Sequence, residues 1–178
     1  MPSRKALARR LILPVLLLFA AVAAATWWAE RNAAQAEAAN DGVPQELAAT
    51  DQDIKVYKTP WCGCCTDWVE YLEREGFTTD VVDVDQGELN DIKQQVGLRQ
   101  ELASCHTAFI DGYVIEGHVP AEDIRTLLEQ RPDGVRGIAV PGMPIGSPGM
   151  EQGDRRDPYH VVAFDADGNA AIFSSHNQ

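Results

Sequence analysis

Three of the four cysteines, Cys62, Cys64 and Cys65, fall within four residues in the stretch TPWCGCCTDW at 59–68, and the fourth, Cys105, stands apart beside His106. Two chemistries use such a set. Cys62 and Cys65 keep the C-x-x-C spacing of a pair that cycles between dithiol and disulfide. At a helix N-terminus the dipole favours the thiolate of the first. Cys64 is awkward for that task, because a third thiol can capture or scramble the mixed disulfide on which exchange depends. The other chemistry is metal binding. Three thiols on one short turn, joined by Cys105, can converge on a soft ion, and thiolates suit Cu(I), Zn(II) and iron–sulfur clusters. Zinc ordinarily draws two separated ligand pairs into a closed tetrahedron, which three crowded thiols build poorly. The crowding suits thiolates that bridge more than one soft ion.

Other donors are less sharply marked. His106 is a candidate ligand or a neighbour of one. His118, in EGHVP, reads either as a ligand or as a hydrogen-bonded turn residue. Met143 and Met150 sit in repeated Pro-Gly-Met units, where a thioether can ligate a soft ion or simply pack a loop. His160 and His176 stand in no pattern that singles them out.

The N-terminus bears on the choice of metal. MPSRKALARR is basic, and LILPVLLLFAAVAAATWWA follows without a charge. A basic head followed by an apolar run is how an export signal is built, with Ala21-Val22-Ala23 offering small residues for cleavage. The run is also long enough to anchor in a bilayer, with Trp27-Trp28 at the interface. Residues 1–29 are therefore expected to be a signal peptide or membrane anchor. Either delivers the rest of the chain outside the cytoplasm, to the periplasm in a Gram-negative cell. There, disulfides are permitted, and an iron–sulfur cluster would have to be assembled after export. Cu(I) fits the location, the softness and the spacing best.

The net charge is −12. Residues 1–31 hold five of the 15 basic side chains and one of the 27 acidic ones, so the remainder is more acidic still. Such a body repels phosphate backbones, which excludes nucleic acid as a partner.

The elements that must position the thiols follow from periodicity. Residues 30–52 are polar, lack an apolar period and read as a linker. Ile54–Lys58 alternates as a strand, ended by Thr59-Pro60. A helix is expected from about Cys64, with Trp68, Tyr71 and Leu72 on one face and Gly76 as its stop. Val81–Val84 is the next strand, Leu89–Val96 a short helix, and Leu98–Ser104 a polar, helical approach. Thr107–Asp111 and Tyr113–Glu116 form a hairpin about Asp111-Gly112, and Ala121–Gln130 is an amphipathic helix. After a Pro/Gly-rich stretch at 140–150 comes a second hairpin with its turn at Asp167-Gly168. Asp165, Asp167 and Asn169 only superficially suggest a calcium loop, because the downstream Glu is missing.

This order, β-α-β-α-β-β-α, is a mixed α/β layout and resembles the thioredoxin fold over residues 53–131. In that fold the loop before the third strand approaches the redox turn and usually carries a cis-proline. Here the matching place holds Cys105-His106, and Cys64 stands where the redox turn has its proline. Two features of a dithiol site are thus replaced by metal donors, at places that should meet in space.

Four blocks, YKTPWCGCC, ELASCHT, GYVIEGHVP and GIAVPGMPIGSPGME, resemble in sequence and order the periplasmic CxCC family of CopG-type copper-resistance proteins. The resemblance implies that residues 53–178 form a thioredoxin-like copper-binding domain with a C-terminal hairpin. It implies several copper ions held by Cys62, Cys64, Cys65 and Cys105 with His106 nearby, and a role in copper tolerance by interconverting Cu(I) and Cu(II). Periplasmic copper-handling proteins or electron donors and acceptors would be its partners. Two alternatives stay open: a metal-free thiol–disulfide oxidoreductase using Cys62 and Cys65, and a passive copper buffer.

Overall fold

The computed structural model describes residues 26–27 and 53–178, and the chain divides into two units, Met1–Ala38 and Ala39–Gln178. Residues 26–27, in the first unit, are helical and exposed. The rest of the expected signal or anchor, and the linker over 30–52, lie outside the described residues. No helix among the described residues is long and apolar enough to cross a membrane.

The second unit runs β1 (Asp53–Lys58), α1 (Gly63–Arg74), β2 (Thr78–Asp83), α2 (Gln86–Gln95), a 3₁₀ turn (Gln100–Leu102), β3 (Thr107–Ile110), β4 (Tyr113–Glu116), α3 (Ala121–Gln130), β5 (Gly137–Ala139), β6 (Tyr159–Phe164) and β7 (Ala170–His176). The strands form one sheet in the order β2-β1-β3-β4-β5-β6-β7. Pairing is parallel at β1–β2 and β4–β5 and antiparallel elsewhere.

Alternate residues of the central strands feed two cores. Ile54, Val56, Ala108, Ile110, Ile115 and Ile138 pack with Trp68, Val69 and Leu72 of α1 and with Ile124 and Leu127 of α3. Tyr57, Phe109, Val114 and Ala139 pack with Leu89 and Ile92 of α2 and with Phe164. A strand covered on both faces can be apolar at every position, as β3 and β4 nearly are. This is the mixed α/β, thioredoxin-like layout expected from the sequence, extended by β5, β6 and β7.

Several boundaries differ from the sequence reading, each for a local reason. The second helix begins at Gln86 rather than Leu89, because the Asp85 side chain accepts a bond from the Glu88 amide at 2.9 Å and caps it. The second strand begins at Thr78, whose neighbour Thr79 is also β-branched. The helical approach expected over 98–104 shrinks to the single 3₁₀ turn. Strand β5 was not foreseen, since three residues are too few to show a period. Gly137 opens it, because a Cβ there would collide with the Val114 carbonyl oxygen. The last hairpin is present, and its Asp165 carboxylate bonds the Asn169 amide and side chain, which is turn chemistry as expected.

Candidate metal centre

Strand β1 ends at Lys58, and the Cys62 amide bonds back to Thr59 O at 3.1 Å, folding the Pro60-Trp61 corner into a turn. Cys62 is the N-cap of α1, in extended conformation and without a side-chain cap bond. Cys64 and Cys65 therefore occupy the first turn, where the helix dipole favours anionic sulfur. Helical spacing buries Cys65 with Trp68, Val69 and Leu72 and leaves Cys62 and Cys64 partly accessible. Cys62 and Cys65 are joined as a disulfide, and Cys64 and Cys105 are free thiols. The Cys64 sulfur lies 3.6 Å from that of Cys62. All four sulfurs lie within 4.8 Å of one another. The predicted meeting of Cys105 with the thiol helix is thus present.

The hairpin of β3 and β4 delivers Cys105. Its turn residues Asp111 and Gly112 both take left-handed φ, 48° and 80°, as a two-residue turn of this hand requires. The register that follows pairs Thr107 with Glu116. Carried two residues past the strand ends, it sets Cys105 opposite His118. The His118 Nε2 lies 3.1 Å from the Cys105 sulfur. The other ring nitrogen, Nδ1, donates to Pro148 O at 2.8 Å. A carbonyl can only accept, so Nδ1 carries the proton and the Nε2 lone pair faces the sulfur. Burial holds His118 below the usual imidazole range, which keeps that lone pair free to accept a hydrogen bond from the thiol or to ligate a metal.

His106, the residue singled out beside Cys105, is fully buried. Its Nδ1 is 3.4 Å from the Cys105 sulfur, and its ring packs on Trp68 with centroids 4.3 Å apart. Burial, then the His118 imidazole, push it well below its ordinary value. Its Nε2 has no hydrogen-bond partner among the described residues, so it is a neutral imidazole with an uncommitted donor atom. The structure thus brings Cys62, Cys64, Cys65 and Cys105 together, sets His106 beside Cys105, and adds His118, which the sequence left undecided. Burial first, and then Cys64, push the Cys105 thiol up to about 12. Without metal it is protonated at neutral pH, and a metal ion would displace that proton.

A buried ion pair fixes the loop that carries Cys105. The Glu116 carboxylate, with no solvent exposure, accepts from Lys93 Nζ at 2.5 Å, Thr107 Oγ1 at 2.7 Å and the Ser104 amide at 2.6 Å. Burial pushes the Glu116 carboxyl up, and Lys93 opposes it. Three donors on one carboxylate are what a buried charge needs. The Ser104 bond places that anchor one residue from Cys105.

The Pro/Gly-rich stretch at 140–150 is a strap held against both thiol segments. The Gly142 amide bonds Ala103 O, and Gly142 O accepts from Ser104 Oγ, beside Cys105. Pro148 O orients His118. At Gly149, φ is 79°, and a Cβ would lie 2.8 Å from Cys64 O and 2.7 Å from Trp68 N. Gly149→Ala is expected to destabilise the protein by about 2–4 kcal/mol, combining left-handed strain with overpacking against backbone. It should also weaken metal binding by moving Pro148 off His118. Urea unfolding and a metal titration of the same variant check both. Met143 in the strap is exposed and Met150 partly so.

The comparisons with known proteins fit this geometry. The glutaredoxin family matches residues 54–105, which hold all four cysteines. A family described as a protein of unknown function, DUF411, matches residues 102–150, from the Cys105 loop through the strap. No curated protein matches. Two solved structures are similar, both of a copper resistance protein copG. Form 1 is 41% identical over 72% of this chain and 100% of its own, with a TM-score of 0.67. Form 2 is 42% identical over 71% and 99%, with a TM-score of 0.65.

Proposed function

The chain belongs to the copper resistance protein copG family, and from that premise we propose that it is a periplasmic protein that binds more than one copper ion and interconverts Cu(I) and Cu(II). One observation carries the reading: four sulfurs, three from one turn and one from a hairpin loop 40 residues later, lie within 4.8 Å of one another. Thiolates at that density, set at a helix N-terminus, suit Cu(I). Cys62, Cys64, Cys65 and Cys105 would hold the metal, with the His118 and His106 imidazoles beside Cys105 as nitrogen donors. Nitrogen next to sulfur favours the oxidised ion more than sulfur alone, so this donor mixture suits a site that visits both states. The basic head and apolar run of the N-terminus support export, which cell fractionation with an intact N-terminus would test.

With Cys62 and Cys65 bonded, two of the four ligands are withheld. Loading therefore follows reduction of that bond by two electrons and two protons from a thiol reductant. The reduced protein, mixed anaerobically with Cu(I), is expected to hold more than one copper per chain, and the oxidised protein fewer. A second reading, a metal-free thiol–disulfide oxidoreductase, is favoured by that same Cys62–Cys65 bond at the start of α1. Efficient disulfide exchange with no copper retained by the reduced protein would establish it and overturn the first.

A further inference from the structure

A second cluster of donors lies where α3 begins and β7 ends. Glu122 and Asp123 are in the first turn of α3, and His176 is the last residue of β7. One ligating atom from each lies within 4.8 Å of the others. His176 Nε2 is 2.8 Å from Asp123 Oδ2, and Nδ1 is 3.8 Å from Glu122 Oε1. Ser174 Oγ is 3.0 Å from the same Nε2. The Tyr159 ring stacks on the imidazole, with centroids 5.1 Å apart and planes 19° apart.

Helix capping does not account for the carboxylates. Acidic residues suit a helix N-terminus, but the N-cap here is Pro120, and no side chain caps the helix. The Asp123 side chain is only 7% exposed, and the Glu122 side chain is 72% exposed and free to swing. A strand irregularity aims the histidine. In β6–β7, Val162 pairs with Ile172 but Val161 pairs with Ser174, so Phe173 is an extra residue. Without it, His176 would share the face of the exposed Ile172. With it, Ser174 and His176 turn to the side of the buried Tyr159 and Val161. Bulges commonly re-aim a side chain in this way beside functional sites. The surroundings are electronegative as well. Burial first, and then Asp123, Tyr71, Glu122 and Glu151, raise the Tyr159 phenol above its ordinary range.

We propose that Glu122, Asp123 and His176 form a second metal site, which takes Cu(II) into nitrogen and oxygen ligands. One imidazole, two carboxylates and a nearby hydroxyl are the donors of a tetragonal Cu(II) centre, and Cu(II) heads the divalent affinity order for such a set. Asp123 Oδ2 and His176 Nε2 are hydrogen-bonded at 2.8 Å, and bonds of about 2.0 Å to one ion would hold adjacent ligands of a square about as far apart. Glu122 follows His118, beside Cys105, by four positions, so their Cα atoms lie at most roughly 14 Å apart. That copper is the ion encountered rests on the function proposed above; the donor set does not.

The test uses the full chain carrying Cys64→Ser and Cys105→Ser, which keeps the Cys62–Cys65 bond and removes both free thiols. Titrated with Cu(II) and read by electron paramagnetic resonance, it should bind one ion showing the splitting of a single imidazole nitrogen. Adding His176→Gln should weaken binding at least 10-fold, and His160→Gln should change nothing. Equal affinity with and without His176→Gln overturns the proposal. Should His176→Gln fail to fold, nuclear magnetic resonance of the parent decides. One equivalent of Cu(II) should broaden the His176 and Tyr159 resonances, and sharp resonances overturn the site. Failure of Cu(I) loading in the reduced wild-type protein would leave this titration intact, so the two readings fall separately.

Discussion

Cys105→Ser is expected to lower Cu(I) affinity by more than about 100-fold, beyond the 10–100-fold that loss of an outer-shell partner costs a metal site. The hydroxyl is nearly isosteric and can still bond His118 Nε2, so the copper-free protein should unfold at close to the wild-type midpoint. The loss would then report the sulfur itself. Cys64→Ser should behave alike, because both free thiols complete a four-sulfur set that the Cys62–Cys65 pair alone cannot supply. A dithiol exchange enzyme predicts the opposite, near silence at both positions. Competition for Cu(I) against a chromophoric chelator, under reducing and anaerobic conditions, separates the two. Wild-type affinity in both variants would reject the four-sulfur assignment.

Glu116→Leu should cost the fold about 3–5 kcal/mol, because it strands the Lys93 ammonium in the core without its carboxylate. Adding Lys93→Met removes the stranded charge, and most of that stability should return, since a buried ion pair is often no better than apolar residues of similar volume. Metal binding should not return with it. The Ser104 amide still lacks the acceptor that fixes the Cys105 loop, so Cu(I) affinity should stay below wild type in the double variant. Chemical denaturation and Cu(I) competition on the three proteins measure these separately. Recovery of both together would mean that the pair supports the fold and does nothing particular for the site.

The legible parts of this protein are the local ones. Cys62, Cys64 and Cys65 declare themselves by spacing, and the helix they open is set by Trp68 and Leu72 at helical intervals. Cys105 was readable as well, through the resemblance to the thioredoxin fold, in which the loop before the third strand approaches the redox turn. His118 was within reach of the same logic. A two-residue turn at Asp111-Gly112 fixes which residues face each other, and counting outward from it pairs Cys105 with His118. Read alone, its Gly-His-Val-Pro context suggested a turn as readily as a ligand. Other features are set by contacts no short window contains. Strand β5 exists because β4 and β6 flank it. The strap lies where it does because Gly149 admits the backbone of α1. His176 showed nothing in its own neighbourhood, since one extra residue at Phe173 decides which way it faces.

The strap has a consequence for how the protein can change over evolutionary time. Beyond the Val140 side chain in the core, its anchors are main-chain groups: the Gly142 amide and carbonyl, the Pro148 carbonyl, and the bare backbone at Gly149. A segment held by its backbone leaves its outward side chains uncommitted, and Met143 is one of these. Substitution there is free to change the outer face of the strap while the frame around the sulfurs stays put. Related chains can therefore diverge on the surface of the strap before they diverge at the sulfurs.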